Sequence, residues 1–414
     1  FQSIGQNSWN RQMMRDWQDA ELAFDEEDYS WAYQLLVPLY QVDSTSADLN
    51  YRLGVCLFEV KHDKENAAIL LNKAVKLGST EALFAKAKVL HAQMKFETAL
   101  RALEEYNERP NRRKTATEIS RLAETITYAR EAVLNPIDVT VKNLGPSVNS
   151  EAQEYVPVVT GNNESLYFTS RRFDSTAQLK DPNNAYFEDV YVTHKVDGKW
   201  SAAVNLDQPV NTATHDATVS ISADGQTMLI YRTNSNLTGG DLYVTYLKGG
   251  KWSNPERLGN EINSKFQEAS ACFSPDQQTL YFSSNRPEGF GGKDLYQVKK
   301  LPNQMWSLPK NLGPNINTAY DEDAPFMDVD DQTLYFASKG HKTMGGYDIF
   351  RTSRTGKNWS TPGNMGYPVN TVDDDLYLAL DAGARRGYYS SDKSGGYGQH
   401  DIYKIDFIYR QQTQ

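Results

Sequence analysis

The sequence predicts an α + all-β multidomain chain: an N-terminal tetratricopeptide-like α-solenoid, then a five-bladed β-propeller closed by an N-terminal velcro strand. Three observations predict this. Apolar residues recur at helical spacing through residues 8–134. Residues 137–407 change to short alternating strands set off by turn residues. That second region repeats five times at a period near 50 residues.

In the helical region, Ala87, Leu90, Phe96, Ala99 and Leu103 fall at tetratricopeptide spacing. Ala20, Ala23, Tyr29, Ala32 and Leu36 repeat it, and Leu53, Gly54, Leu57, Ala67 and Leu71 form a middle unit. The small residues mark where two helices cross closely. Thr117–Leu134 reads as a capping helix, stopped at Asn135–Pro136 because proline disfavours helix in the residue before it. In such arrays the first helix of each pair lines the concave side. The expected partner-binding groove is therefore Trp17, Glu21, Phe24, Tyr51, Val55, Phe58, Phe84, Lys88 and His91. The competing reading is that the array packs only on its own propeller.

In the repeat region, five segments (NLGPSVNS, DQPVNT, GNEINS, LGPNINT, MGYPVNT) share a frame asparagine: Asn149, Asn211, Asn263, Asn317 and Asn370. A strand centred on Tyr167, Leu229, Tyr281, Tyr335 or Tyr388 follows, then a D-[VLI]-[YF] strand at Asp189, Asp241, Asp294, Asp348 or Asp401. These aspartates are 52, 53, 54 and 53 residues apart. Four units carry a tryptophan strand, at Trp200, Trp252, Trp306 and Trp359, and the fifth has none after Phe407. An orphan strand precedes the first unit, so residues 139–149 are expected to complete the fifth blade beside Ile402–Ile405 and remove its open edge. The first unit also carries about nine extra residues in FDSTAQLKDPNNAYFE, a loop placed to serve function. Residues 408–414 read as a tail or the start of a further C-terminal region.

The 414 residues, 39% apolar and 23% charged, suit two or three folded domains. A net charge of −10 argues against a nucleic-acid binder, which needs a basic surface. No apolar run is long enough for a membrane-spanning segment. Cys56 and Cys272 sit in apolar stretches of different domains and read as buried small hydrophobes, without zinc spacing or a shared disulfide. The histidines are scattered; neither a metal site nor a cofactor is expected. The opening at Phe1 and the 25 tyrosines fit an extracytoplasmic chain whose signal peptide has been removed, and trimming would also explain the start.

The residue five places after each frame asparagine is acidic: Glu154, Asp216, Glu268, Glu322 and Asp375. These are expected as an acidic ring at the channel mouth, to which Asp321, Asp323, Asp373 and Asp374 add, with Arg171, Arg172, Arg232, Arg286, Lys339 and Lys393 near. Such a ring would either bind a cation or basic peptide or, as repeated residues usually do, brace the backbone. A propeller glycan hydrolase is the contrasting class, and it needs two carboxylates that break the repeat. No GxSxG element or Ser/His/Asp set is present, and SADGQT lacks the rest of an aspartate box. The residues favour a non-enzymatic interaction protein.

FSPDQQTLYFSSNRPEGFGGKDLY resembles the TolB-like propeller repeat. The order of helical repeats, NLGPSVNS, EYVPVVTGNNESLYFTSRR and propeller, with YDEDAPFMDVDDQTLYFASKGHKTMGGYDIF and GYPVNTVDDD, resembles the PorE-type envelope proteins of the Bacteroidetes. The likeness spans about residues 10–407. It implies a periplasmic scaffold at the outer membrane, linking type IX secretion and gliding machinery to the cell envelope. Its partners would be proteins of that machinery. The family continues into carboxypeptidase-regulatory-like and OmpA-like domains, so peptidoglycan would be reached only through a domain absent from this chain. A general envelope tether with another partner is the alternative.

Overall fold

The computed structural model describes residues 9–173, 180–181, 185–356 and 358–408. The chain divides into two compact units, residues 1–131 and 132–414.

The helices are α1 (Arg11–Asp25), α2 (Tyr29–Val42), α3 (Ala47–Lys61), α4 (Lys64–Lys76), α5 (Glu81–Ala92), α6 (Phe96–Glu108) and α7 (Ala116–Leu134). The first four start where a polar cap satisfies a free amide: Asn10, Asp28, Ser46 and Asp63 accept from the N–H groups of Met13, Trp31, Leu49 and Asn66. Each helix from α1 to α5 packs on the next in sequence. The small residues of the repeat frame lie at the crossings, and Ala20, Ala32, Ala67, Ala87 and Ala99 are wholly buried. Gly54 is tightest: a Cβ there would come within 2.9 Å of Leu71 Cγ.

The second unit is a five-bladed β-propeller built from five antiparallel sheets. The innermost strands are Glu154–Val159, Asp216–Ile221, Ala271–Phe273, Glu322–Met327 and Asp375–Leu380. Each pairs with a second strand, which pairs with a third beginning at or one residue before its D-[VLI]-[YF] aspartate. The fourth position differs from expectation. In three blades it is two short pieces, such as Lys199–Trp200 and Val204–Asn205, both on the third strand. In the third blade only Lys310–Asn311 pairs as a strand, and Trp306 makes a lone bridge to Lys300. In the fifth sheet the outermost strand is Val139–Asn143, antiparallel to Asp401–Phe407 with Val141 opposite Ile405.

Side chains between neighbouring sheets form five apolar cores, the one between fifth and first sheets joining Tyr388 and Ile402 to Phe168 and Tyr191. The tryptophans key one blade to another: Trp200 meets Tyr388, Trp252 meets Tyr167 and Trp359 meets Tyr281, edge on, with ring centroids 5.8, 5.8 and 6.3 Å apart. Frame asparagines clamp in the other direction. Asn211 accepts from the Val190 N–H at 2.8 Å and donates to its carbonyl at 2.9 Å. Asn263, Asn317 and Asn370 do the same at Leu242, Leu295 and Ile349.

Cys56 and Cys272 are both buried and free, and burial pushes each thiol up to about 12. Among the described residues no helix is long and apolar enough to cross a membrane, and no cluster of histidine, cysteine and acidic side chains is placed to hold a metal ion. Residues 174–179 and 182–184 of the extra loop, and residues 409–414 of the tail, lie outside the described part.

Candidate functional site

The five frame carboxylates do not form an open ring. Glu154, Asp216, Glu322 and Asp375 have no exposed surface and Glu268 has 2%. Each lies at or just before the start of an innermost strand and is held within its own blade. Glu154 accepts from the Ser150 N–H at 2.7 Å, the Ser150 hydroxyl at 2.6 Å and the Ser170 hydroxyl at 2.7 Å. Glu268 and Glu322 repeat this with Ser264 and Ser284, and with Thr318 and Ser338. Asp216 and Asp375 accept from Thr212 and Thr371. A carboxylate that accepts two or three such bonds at a turn is bracing the chain, which is why the acid recurs in every unit.

The cations expected nearby divide. Arg172, Arg232 and Arg286 reach Glu154, Asp216 and Glu268 at 3.0, 2.5 and 3.2 Å. Each guanidinium lies over an aromatic side chain, Arg286 at 4.9 Å from Phe282 and 5.1 Å from Tyr296. Lys393 takes the same place over Tyr389 and Tyr403, and its charge acts on Asp375. Arg171 instead pairs with Asp181, and Lys339 lies 4.4 Å from the centre of the Tyr347 ring. In the fourth blade His341 stands where the first three carry arginine and the fifth carries Lys393. Its Nε2 donates to the Ile316 carbonyl at 2.8 Å, as Arg286 donates to Ile262 at 3.0 Å. Burial lowers the His341 pKa, so its ring favours the neutral form, and burial pushes Glu322 up to about 7.

Chemistry that escapes the repeat gathers at the ends of the innermost strands where these acids lie. The residue before each D-[VLI]-[YF] aspartate is different in every blade: Glu188, Gly240, Lys293, Tyr347 and His400. Tyr155 donates its hydroxyl to Glu188, and His215 Nδ1 lies 3.5 Å from the same carboxylate. Burial, the largest influence on Glu188, is outweighed by hydrogen bonds from His215 and Tyr155, so its pKa is lowered. Asp323 is likewise lowered against its burial, chiefly by Lys293, whose Nζ lies 2.9 Å away. Burial raises the Tyr377 hydroxyl, and the charges of Asp323 and Glu188 raise it further. Glu188 and Asp323 are two carboxylates that are not repeat-equivalent, near one end of the axis. Asp323 is among the acids expected at this end from the sequence, and Glu188 could have been found by looking for positions that differ between units.

The opposite end of the axis is apolar. The innermost strands enclose a channel of about 80 Å³, lined by Pro157, Val158, Ile221, Phe273, Phe326 and Met327 among others. No carboxylate lines it among the described residues.

In the helical unit the expected groove residues separate. Trp17, Phe24 and His91 are buried, because their rings are covered from within. Arg52, which the spacing argument missed, lies over both Trp17 (5.8 Å) and Phe24 (4.9 Å). It bonds Glu21, Asp25 and Asp48 at 3.4, 3.4 and 3.2 Å. His91 packs on Phe96 of α6, with ring centroids 5.8 Å apart. Glu21, Tyr51, Val55, Phe58 and Phe84 are half-buried, and Lys88 is exposed. Phe24 joins Tyr51 at 5.7 Å, and Lys88 lies over Phe58 at 5.7 Å while bonding Glu59 at 2.7 Å. The half-buried members lie on α1, α3 and α5, the first helix of each pair.

No protein-family model matches the chain, and no curated protein is significantly similar to it. Some solved structures are distantly similar to it. An α-L-arabinofuranosidase from Podospora anserina, solved with cellotriose, is 13% identical, covering 66% of this chain and 98% of that one with a TM-score of 0.41. An α-L-arabinofuranosidase from Lactobacillus brevis is 11% identical, covering 65% and 93%, with a TM-score of 0.42. A putative glycoside hydrolase from Bacteroides ovatus is 10% identical, covering 67% and 98%, with a TM-score of 0.39. The likeness is distant and concerns the fold alone.

Proposed function

We propose that this chain is a non-enzymatic scaffold of the bacterial cell envelope. Its helical unit acts as a tetratricopeptide-type array and its propeller as a rigid platform, each docking protein partners. The observation that carries this reading is the state of the carboxylates. The frame acids are held within their blades, and outside the frame Glu188 and Asp323 are both held as anions by their neighbours. Glycoside hydrolysis needs one carboxylic acid that keeps its proton near neutrality and opens onto the substrate. Glu322 and Asp375, each raised to about 7, are both wholly buried.

The strand Val139–Asn143 on the fifth sheet supports reading the propeller as a ring clasped by its own N-terminal strand. The resemblance of the repeats to PorE-type proteins points to a periplasmic place beside the outer membrane and to partners in the type IX secretion and gliding machinery. Affinity capture from a Bacteroidetes envelope extract, with the purified chain as bait, tests this. Type IX components are expected in the eluate. Recovery of only other envelope proteins would favour a general tether, and turnover of glycan substrates at enzyme-like rates would overturn the scaffold reading.

A further inference from the structure

Each innermost strand runs from its frame acid toward the turn that joins it to the second strand. The channel lining begins in mid-strand, at Val156, Val219, Ser270, Ala324 and Tyr377, and reaches the turns at Gly161, Ala223, Gln277 and Val329. The free space therefore opens at the turn end, away from Glu188 and Asp323. Its wall includes Ile221, Phe273 and Phe326, each only half-buried, and Val329, which is 44% exposed. A volume of about 80 Å³ would hold roughly two or three waters, and Ser220, Ser222, Ser270, Ser274, Gln277 and Tyr377 are the polar members of an otherwise largely apolar wall. It suits a branched aliphatic side chain.

The turns around this opening are acidic in four blades, while the fifth carries the exposed Arg385 and Arg386. Glu164, Asp224, Asp276 and Asp330 are exposed there, against Arg385 as the one lysine or arginine among residues 160–164, 222–226, 274–278, 328–332 and 381–385. The Asp224 carboxylate accepts from the Ser222 hydroxyl and the Gln226 N–H, and Asp276 does the same with Ser274 and Gln278. Those bonds lower both pKa values and hold both groups as anions.

We propose that the turn-end funnel of the propeller is a docking site for an aliphatic side chain of a partner protein presented between lysine or arginine residues. The apolar wall takes the side chain and the acidic turns take the flanking cations. The inference rests on the reading of the chain as a protein-binding adaptor and names the chemistry of one partner segment.

The test uses the full chain and fluorescein-labelled acetyl-Lys-Lys-Leu-Lys-Lys-amide, read by fluorescence anisotropy. The same peptide with serine in place of leucine should bind about tenfold more weakly or worse. Glutamates in place of the lysines should weaken binding again, and salt should weaken the lysine peptide most. Ile221→Asp should erase the preference for leucine over serine. The double variant D224N/D276N, which leaves the wall intact, should weaken both lysine peptides. Equal binding of the leucine and serine peptides, or no binding of either, would overturn the funnel. Either result leaves the capture experiment, and with it the adaptor reading, standing.

Discussion

Asn149 and Ile402 are 253 residues apart in sequence and share two hydrogen bonds: the Ile402 N–H donates to Asn149 Oδ1 at 2.8 Å, and Asn149 Nδ2 donates to the Ile402 carbonyl at 3.0 Å. The same amide donates to Asn143 Oδ1 at 2.8 Å, and Asn143 Nδ2 donates to Asp401 at 2.7 Å. The frame asparagine of the first unit thus fastens the third strand of the last.

Asn149→Ala should therefore destabilise the propeller as a whole, by about 1–3 kcal/mol, because it leaves the buried N–H of Ile402 unpaired, while its carbonyl keeps the Leu144 N–H. Deleting residues 137–149 should cost more and lower the thermal midpoint of the β signal. A deletion variant that melts like the intact protein would refute the clasp.

The stability of the propeller should fall as pH rises through neutrality. Glu322 has an ordinary value of 4.5 and a folded value of about 7. Its contribution is fully present below the unfolded value and is lost as pH rises through the folded one, on the order of 3 kcal/mol in all. Asp375, also raised by burial, acts with the same sign. His341→Arg, giving the fourth blade the arginine of the first three, should lower the Glu322 pKa and flatten part of that fall. Denaturant melts at pH 5 and pH 8 would show it; an identical fall in H341R would sink the account.

Arg52→Ala should loosen the helical unit by roughly 2–3 kcal/mol, through lost stacking on Trp17 and Phe24 and through three carboxylates left facing one another. The partners Glu21, Asp25 and Asp48 are 38%, 64% and 48% exposed, so solvent screens most of the charge effect and stacking dominates. Arg52→Lys should then recover less than half of the loss. Full recovery by lysine in helical circular-dichroism melts would show that charge alone mattered.

Gly54→Ala should destabilise the α3–α4 crossing by about 1 kcal/mol even though alanine is the better helix former. The added Cβ would sit 2.9 Å from Leu71 Cγ and 3.3 Å from Leu70 Cβ, and Leu71 has no exposed surface into which to move. A gain in stability would mean that the two helices part without cost.

The number of blades, the strand spacing and the helix pairs were legible in the sequence because each follows from local periodicity. A strand shows a two-residue alternation, a helix a 3.6-residue one, and a repeated unit the same residues at a fixed distance. The small residues Ala20, Ala32, Ala67, Ala87 and Ala99 were readable for the same reason. Where a side chain points after the chain has closed on itself is not local. Glu154 and its equivalents could have faced an axial opening or their own turns, and only the strand start beside Ser150 and Ser170 decided for the turns. Of the partners of Arg52 only Asp48, four residues away on α3, is local; Glu21, Asp25, Trp17 and Phe24 all lie on α1 and reach it only through packing. The sequence by itself determined which elements form and how often they recur. Tertiary structure alone decided which acids are spent inside the blades, which remain at one end of the axis, and that the other end is an apolar opening, because burial and charge pairing depend on neighbours distant in the chain.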